Sequence, residues 1–276
     1  MRTGEILDIA ISIYRRNAAT LLRAVFFVVL PMTLLASLIL VSAIPRHTHK
    51  KLEVINGKLY IVSTLSHHQT VVFVTGLGAT SLVAFIGYLI ASGASFNAVS
   101  EAFLGRKPNW RRSLAFAGRR VHSLIWVSIL GTLLTWIAEV LCIIPGIYLS
   151  VAFSIAVPVL LNEGVKGRRA LGRSRQLVRG RWWRTLLALA AGALLSGIFF
   201  AAAFIIAHIA DTGYGFASVT GFTIAVACLT IAMTLTMPFS AAVTTLIYFD
   251  LRIRKEAYDI QLMAEQIGPA TPPQPA

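Results

Sequence analysis

The 276 residues are 57% hydrophobic and only 13% charged, about half the charged share of a soluble domain, which excludes a water-soluble fold with a polar exterior. Even so, 25 Lys and Arg face 11 Asp and Glu, for a formal charge of +14, so apolar and basic material must be segregated along the chain. The expected class is an all-α polytopic membrane protein: six transmembrane helices arranged as three hairpins, each preceded by a basic amphipathic interfacial helix.

The opening "GEILDIAISIYRRNAATLL" predicts an amphipathic helix over 3–16, followed by a first apolar span over 24–44. A cleavable signal peptide is the alternative for this span, since "LVSAIPR" closes it with small residues. The apolar core of such a peptide is about 7–15 residues, and this run is longer and begins late. Loop 45–69 then carries Arg46, Lys50, Lys51 and Lys58. Its Asn56-Gly57 pair suits a two-residue type I′ turn that pairs Val54 with Leu59 and Leu52 with Ile61. Two strands are marginal alone, so this hairpin is expected to rest on the helix ends or on a partner. His47, His49, His67 and His68 bracket it. Their spacing matches no standard ligand pattern, so they read as solvated loop histidines and no metal site is assigned.

The second span, 70–98, contains Gly87, Ala91, Gly93, Ala94 and Ser95, small residues that suit close helix contact rather than a permeation path. A basic amphipathic helix over 100–118 leads to the third span, 121–143. Within it Glu139 is the one carboxylate inside an apolar run, and an intramembrane ionisable group is a functional candidate by default. It stands about four residues from the end of the span, roughly 6 Å deep. The reading preferred for it is an interfacial cap; a proton or cation site is the alternative. Pro145 and Gly146 suit a tight turn into the fourth span, 146–161.

The next segment, 164–180, is the most basic. At about 100° per residue, Ala170, Leu171, Ser174, Leu177 and Val178 share one sector of a helical wheel, and Arg168, Arg169, Arg173, Arg175 and Arg179 fill the opposite one. Gly180 interrupts the pattern, and Arg181, Trp182, Trp183 and Arg184 follow where the chain must turn to cross the membrane. Guanidinium meets lipid phosphate through paired hydrogen bonds, and indole collects at the headgroup level. Arg173, Arg175, Arg179, Arg181, Trp182, Trp183 and Arg184 are therefore the candidate contacts for a lipid headgroup or a partner. The fifth span, 185–210, ends near His208 and Asp211, so a contact between Glu139 and His208 is a second intramembrane candidate. The sixth span is 216–249. Pro31, Pro158 and Pro238 fall inside spans, where they free carbonyls and bend helices.

Beyond the last span, alternating charges predict an amphipathic helix over 250–267, with Arg252–Glu256 and Lys255–Asp259 at i,i+4 spacing. Its carboxylates Glu256, Asp259 and Glu265 can meet the arginines of the preceding basic helices. The single membrane domain thus runs over 1–267, and the Pro-rich 268–276 reads as a disordered tail. Cys142 and Cys228 sit within or beside spans, where a disulfide framework is not expected.

Of the 25 basic residues, 21 fall on one side if both termini are cytoplasmic, and four on the other. That asymmetry follows the positive-inside bias and predicts a multi-pass protein of the plasma or inner membrane. It also names the partner: the anionic phospholipid of the cytoplasmic leaflet, with another membrane protein or a second copy of the chain as further partners. Nucleic acid would use Arg beside aromatics too, but each basic cluster here adjoins a span, so none is expected.

The segments before the three hairpins share a loose plan, running from Glu through Ser to a basic cluster and then to aliphatics. Internal repeats of this sort are common in transporters and do not settle function. The stretch "PGIYLSVAFSIAVPVLLNEGVKGRRALGRSRQLVRGRWWRTL" and the later "PFSAAVTTLIYFDLRIRKEAYDIQ" resemble the bacterial membrane-domain family named after glycerophosphoryl diester phosphodiesterases, as do "GEILDIAISIYRRN" and "EAFLGRKPNW". The resemblance implies the membrane region alone. A catalytic domain would be a soluble barrel of about 250 residues with clustered carboxylates for a divalent metal, which these residues do not contain. No catalytic residue and no cofactor is assigned. Three classes remain: a non-catalytic lipid-associated scaffold or partner protein, which is preferred, then a transporter or permease for a small solute or lipid, then a membrane enzyme acting on lipid phosphates.

Overall fold

The computed structural model describes residues 3–44, 49–55, 58–64, 66–214 and 219–256. In chain order the elements are α1 (Thr3–Ala43), β1 (His49–Ile55), β2 (Lys58–Thr64), α2 (His67–Phe103), α3 (Trp110–Arg119), α4 (Val121–Leu141), α5 (Ile143–Phe153), α6 (Ala156–Glu163), α7 (Arg168–Val178), α8 (Trp182–Tyr214) and α9 (Val219–Glu256). Six segments among the described residues are long and apolar enough to cross a membrane, α5 and α6 together making one of them. The chain is an all-α polytopic bundle with one small β-hairpin. Its basic end holds α3, α7 and the first turns of α1; its far end holds the hairpin and the α4–α5 turn.

α1 bends where the sequence places the end of the first basic helix. Asn17 leaves helical geometry (φ −117°, ψ 16°), and its Nδ2 donates to the Ile13 carbonyl at 3.1 Å. A short polar side chain that bonds its own backbone competes with the helical ladder at that position. The paired strands follow the expected register, Leu52 opposite Ile61 and Val54 opposite Leu59; residues 56–57 and His47 lie outside the described residues. His67 and His68 open α2 directly behind a capping box. There Ser66 Oγ accepts from the Gln69 amide at 3.2 Å and Gln69 Oε1 accepts from the Ser66 amide at 3.0 Å, a reciprocal pair that satisfies two end donors.

Three boundaries depart from expectation. The second basic helix starts at Trp110 rather than near 100, because α2 continues to Phe103 and Asn109 caps α3 through its side chain. The turn between the third and fourth spans falls at Cys142, which is extended (φ −167°, ψ 140°), not at Pro145-Gly146. Pro145 instead lies in the first turn of α5, where a missing N–H costs no helical bond. The fourth span therefore begins at Ile143, and it is broken into α5 and α6 at Ser154 and Ile155. Pro158 explains the break: it cannot donate to the carbonyl four residues back, so it opens a new helix rather than bending an existing one. Finally, the predicted helix over 250–267 is, as far as it is described, the last two turns of α9. Lys255 pairs elsewhere, and Asp259, Glu265 and the tail 268–276 lie outside the described residues.

The large buried side chains gather toward the basic end: Leu21, Val99, Leu124, Ile155, Leu160, Leu177, Leu246, Tyr248 and Phe249. Phe103 stacks on Phe249 there, ring centres 4.6 Å apart. Gly87, Ala91, Gly93, Ala94 and Ser95 are all buried in α2, the close packing anticipated for them. Pro238 removes the donor for the Thr234 carbonyl of α9, and in the same turn the Leu235 carbonyl accepts from Tyr14 Oη at 3.1 Å, tying α1 to α9 beside the proline. Toward the far end the pattern inverts. Leu38, Val74, Leu82, Leu141, Ile144 and Phe204 face outward, and so continuous an apolar exterior is what lipid, not water, accommodates.

Candidate functional site

The site at the basic end is built on α7. Its buried residues are Ala170, Leu171, Ser174, Leu177 and Val178, the sector drawn on the wheel. What covers them is protein rather than lipid: Leu171 reaches Gly131 of α4, and Ser174 Oγ donates to the Ala152 carbonyl at 2.7 Å. That carbonyl belongs to the last turn of α5, where intrahelical donors run out. The broken span therefore gives α7 its socket. Arg120 performs a similar service for α6, donating to the Leu161 carbonyl at 3.1 Å.

Arg173 leaves the expected set of headgroup contacts. Its guanidinium is held by two carboxylates, Glu163 of α6 at 2.8 Å and Glu256 of α9 at 2.5 Å. Arg252 stands 3.7 Å from Glu163 and 3.4 Å from Glu256, closing a ring of two cations and two anions. The buried Tyr248 sits within it: its hydroxyl donates to Glu163 at 3.1 Å and accepts from Arg252 at 2.9 Å. Burial alone would lower the Arg173 pKa, but its hydrogen bonds and charge contacts with Glu163 and Glu256 outweigh that and hold it above the ordinary value. The expected Arg252–Glu256 pair is present and the expected reach of a basic-helix arginine to Glu256 is realised. Glu163, Tyr248 and the closure of the ring were not legible in the sequence; the one local signal is a carboxylate directly after an apolar span, ahead of Gly164 in the left-handed region (φ +69°).

Beyond this latch lies a cationic rim. Lys255 of α9, past the apolar run, donates to the Gln176 and Arg179 carbonyls at 2.6 Å each, clamping the end of α7. Burial and then Arg181, Arg179 and Arg173 lower its pKa, a sign of how crowded the cations are. Gly180 (φ +86°) makes the turn between α7 and α8 in a conformation that side chains disfavour. Around it Arg181, Trp182, Trp183, Arg184 and Arg254 line an open cleft of about 740 Å3. Arg175, Arg179 and Arg184 are exposed. The two tryptophans part company. Trp182 donates Nε1 to the Tyr148 carbonyl at 3.2 Å and stacks on that ring, so it faces protein, whereas Trp183 is 72% exposed.

Residues 114–267 match the family described as Domain of unknown function (DUF8558). The chain belongs to this family. The DUF8558 region takes in the broken fourth span, α7, the whole latch and the rim, and leaves out α1, the β-hairpin and α2. No curated protein and no solved structure matches the chain.

The intramembrane candidates, also within the DUF8558 region, are not brought together. His208 lies parallel to Phe204 one turn back on its own helix, ring centres 6.4 Å apart, and no hydrogen bond or ion pair links it to Glu139. The side chain of Asp211 lies outside what is described. Glu139 sits against the next helix instead. A Cβ at Gly146 would overlap Glu139 Cγ and stand 2.8 Å from Glu139 Cα, so Gly146 serves the close approach of α5 to α4 rather than a turn.

Proposed function

We propose that the protein is a non-catalytic, lipid-associated membrane protein that grips an anionic phospholipid headgroup in the cytoplasmic leaflet and presents a rigid basic end to a partner. The observation that carries this reading is the division of labour among the arginines. Arg173 and Arg252 are spent inside the latch, while Arg181 and Arg184 line an open cleft beside an outward-facing Trp183 and Arg175 and Arg179 are exposed on the adjoining helix end. A rigid frame that leaves guanidinium groups without a carboxylate partner among the described residues, at the point where a helix enters the membrane, suits bidentate phosphate binding. The resemblance to the membrane region of the glycerophosphoryl diester phosphodiesterases supports a lipid setting and does not imply an activity.

The test is native mass spectrometry of the protein purified in nanodiscs. Wild type should retain an anionic phospholipid. The variant with Arg175, Arg179, Arg181 and Arg184 all changed to Gln should lose it, since about 1 kcal/mol per basic residue amounts to roughly three powers of ten in affinity. Equal retention by the two proteins would sink the reading. A protein partner that co-purifies with wild type and not with the variant would extend it to a scaffold role.

Orientation follows the same reading. With both termini cytoplasmic, 21 of the 25 Lys and Arg lie inside, as the positive-inside bias requires. A cytoplasm-active reporter inserted at 164–167 should be active, and one inserted at 56–57 silent; the reverse pattern would overturn the topology and with it the choice of leaflet.

A further inference from the structure

Between the α4–α5 hairpin on one side and α2 and α9 on the other lies a cleft of about 690 Å3, inside the layer of apolar spans. Its inner limit is Leu171 of α7 and Phe96 of α2, and Glu139 stands toward its far end. Along α4 the lining runs from Val127 to Glu139, roughly 18 Å at 1.5 Å per residue. The far part of the hairpin has little tertiary cover: Trp136 is 61% exposed, Leu141 81% and Ile144 77%. The hairpin is gripped at the basic end by α7 and stands away from the bundle at the other, so the cleft is open there.

The walls are rich in acceptors, although Ser128, Thr132, Ser240, the Tyr88 hydroxyl and the Trp136 indole also line the cleft and can donate. Ser92, Thr135, Ser150, Ser154, Thr236 and Thr244 line the cleft, and each donates its hydroxyl proton to a carbonyl three or four residues back on its own helix, at 2.7–3.1 Å. A hydroxyl has one proton and two lone pairs, so with the proton committed it offers the cleft only acceptors. Glu139 adds a carboxylate. No Lys, Arg or His lines the cleft, in a chain whose formal charge is +14. Aromatic faces complete it, with Phe85, Tyr88, Phe153 and Phe200 among the lining residues. Acceptor oxygens, one anion and π faces together suit a hydrogen-bond-donating cation.

The size argues against a bare metal ion. A hard cation needs six or more oxygens within about 2.6 Å, and these oxygens are spread over four helices and many ångströms. A volume of this order falls instead in the range of organic ligand pockets. We propose that this cleft is a binding site for an organic ammonium with an apolar body, the ammonium paired with Glu139 and hydrogen-bonded to the hydroxyl wall. The ammonium can belong to a free amphiphilic amine or to an aminophospholipid entering sideways. In either case the site is separate from the Arg-Trp rim, so its fate does not depend on the phosphate-binding reading.

The test uses the full chain in nanodiscs of phosphatidylglycerol alone, with n-hexylammonium as probe and tryptophan fluorescence, to which Trp136 in the wall contributes, as readout, backed by calorimetry. Saturable binding is expected, with n-hexanol and n-hexanoate weaker by at least about tenfold, the scale of one charge-assisted hydrogen bond. Glu139→Gln should weaken hexylammonium by a similar factor while leaving the phospholipid retained at the rim unchanged. Thr236→Val, which removes an acceptor from the opposite wall at constant shape, should weaken it too, and serves if the Glu139 variant fails to fold. Repeating the titration in discs containing phosphatidylethanolamine separates the sources. Loss of the signal there, with that lipid co-purifying with wild type and not with Glu139→Gln, identifies the lipid; persistence identifies a free amine. Equal affinity for hexanoate, or unchanged affinity in both variants, would overturn the proposal.

Discussion

Glu163→Ala is expected to destabilise the protein by about 2–3 kcal/mol, because it removes the shared acceptor of Arg173, Arg252 and Tyr248 and leaves cations facing each other across a mostly buried space. The Glu163 side chain is 12% exposed and those of its cationic partners Arg252 and Arg173 15% and 26%, so the loss should fall below that of a fully dry ion pair. Tyr248→Phe should cost about 2 kcal/mol, since it deletes two hydrogen bonds, one to Glu163 and one from Arg252, and keeps the ring that packs on Phe249. Arg175→Ala, one helical position pair away from Arg173 but outside the ring, should change stability by less than about 0.5 kcal/mol. Thermal unfolding of the reconstituted protein checks the series. The informative result is the charge swap Glu163→Arg with Arg173→Glu. In an isolated pair it would restore stability; here Arg252 would face the new arginine and Glu256 the new glutamate, so no rescue is expected. Rescue would mean that the four charges act as separate pairs.

The second large effect is expected at the α4–α5 turn. Gly146→Ala places a methyl group 2.8 Å from Glu139 Cα, inside the overlap limit, and on top of the Glu139 side chain. The hairpin must open, at a cost of about 1–3 kcal/mol for overpacking of this kind. Because the clash involves the Glu139 Cα as well as its side chain, Glu139→Ala and Glu139→Gly, which both keep Cα, should each restore only part of the loss. Full rescue by Glu139→Ala would show that only the side chain is in the way. By contrast Gly197→Ala, where a Cβ would meet nothing within 4 Å, should be neutral or slightly stabilising in a helix. The same thermal assay distinguishes these variants.

Local pattern explains most of what could be read in advance. The buried face of α7, the stop at Gly180 and the strand register of the hairpin each depend on residues within a few turns or a few pairs of one another. Periodicity carries such information directly. The segment boundaries that moved are those where proline carries two readings. In sequence Pro145 suits a turn and Pro158 a bend, yet both occupy first turns of helices, a position proline tolerates equally well. Which of the two meanings holds depends on where the neighbouring helix allows the chain to reverse. That decision belongs to the packing of Glu139 against Gly146.

The assignment of individual charges shows the division most clearly. From the sequence alone follow the segregation of apolar and basic material, the six spans, the basic cluster between the fourth and fifth of them, and a lone carboxylate near one end of the third. These are properties of composition and spacing, set by the length of helix a bilayer requires and by the period of a helix face. Only the tertiary structure decided that Arg173 is a latch residue and Arg175 a rim residue, that Trp182 turns inward and Trp183 outward, and that Glu139 faces hydroxyls rather than His208. Each of those outcomes depends on a partner far away in the chain: Glu256 for Arg173, Tyr148 for Trp182, Thr236 and Thr244 for the cleft that Glu139 lines. A guanidinium two positions along a helix is chemically the same group, and its role is fixed by which carboxylate folding brings within 3 Å.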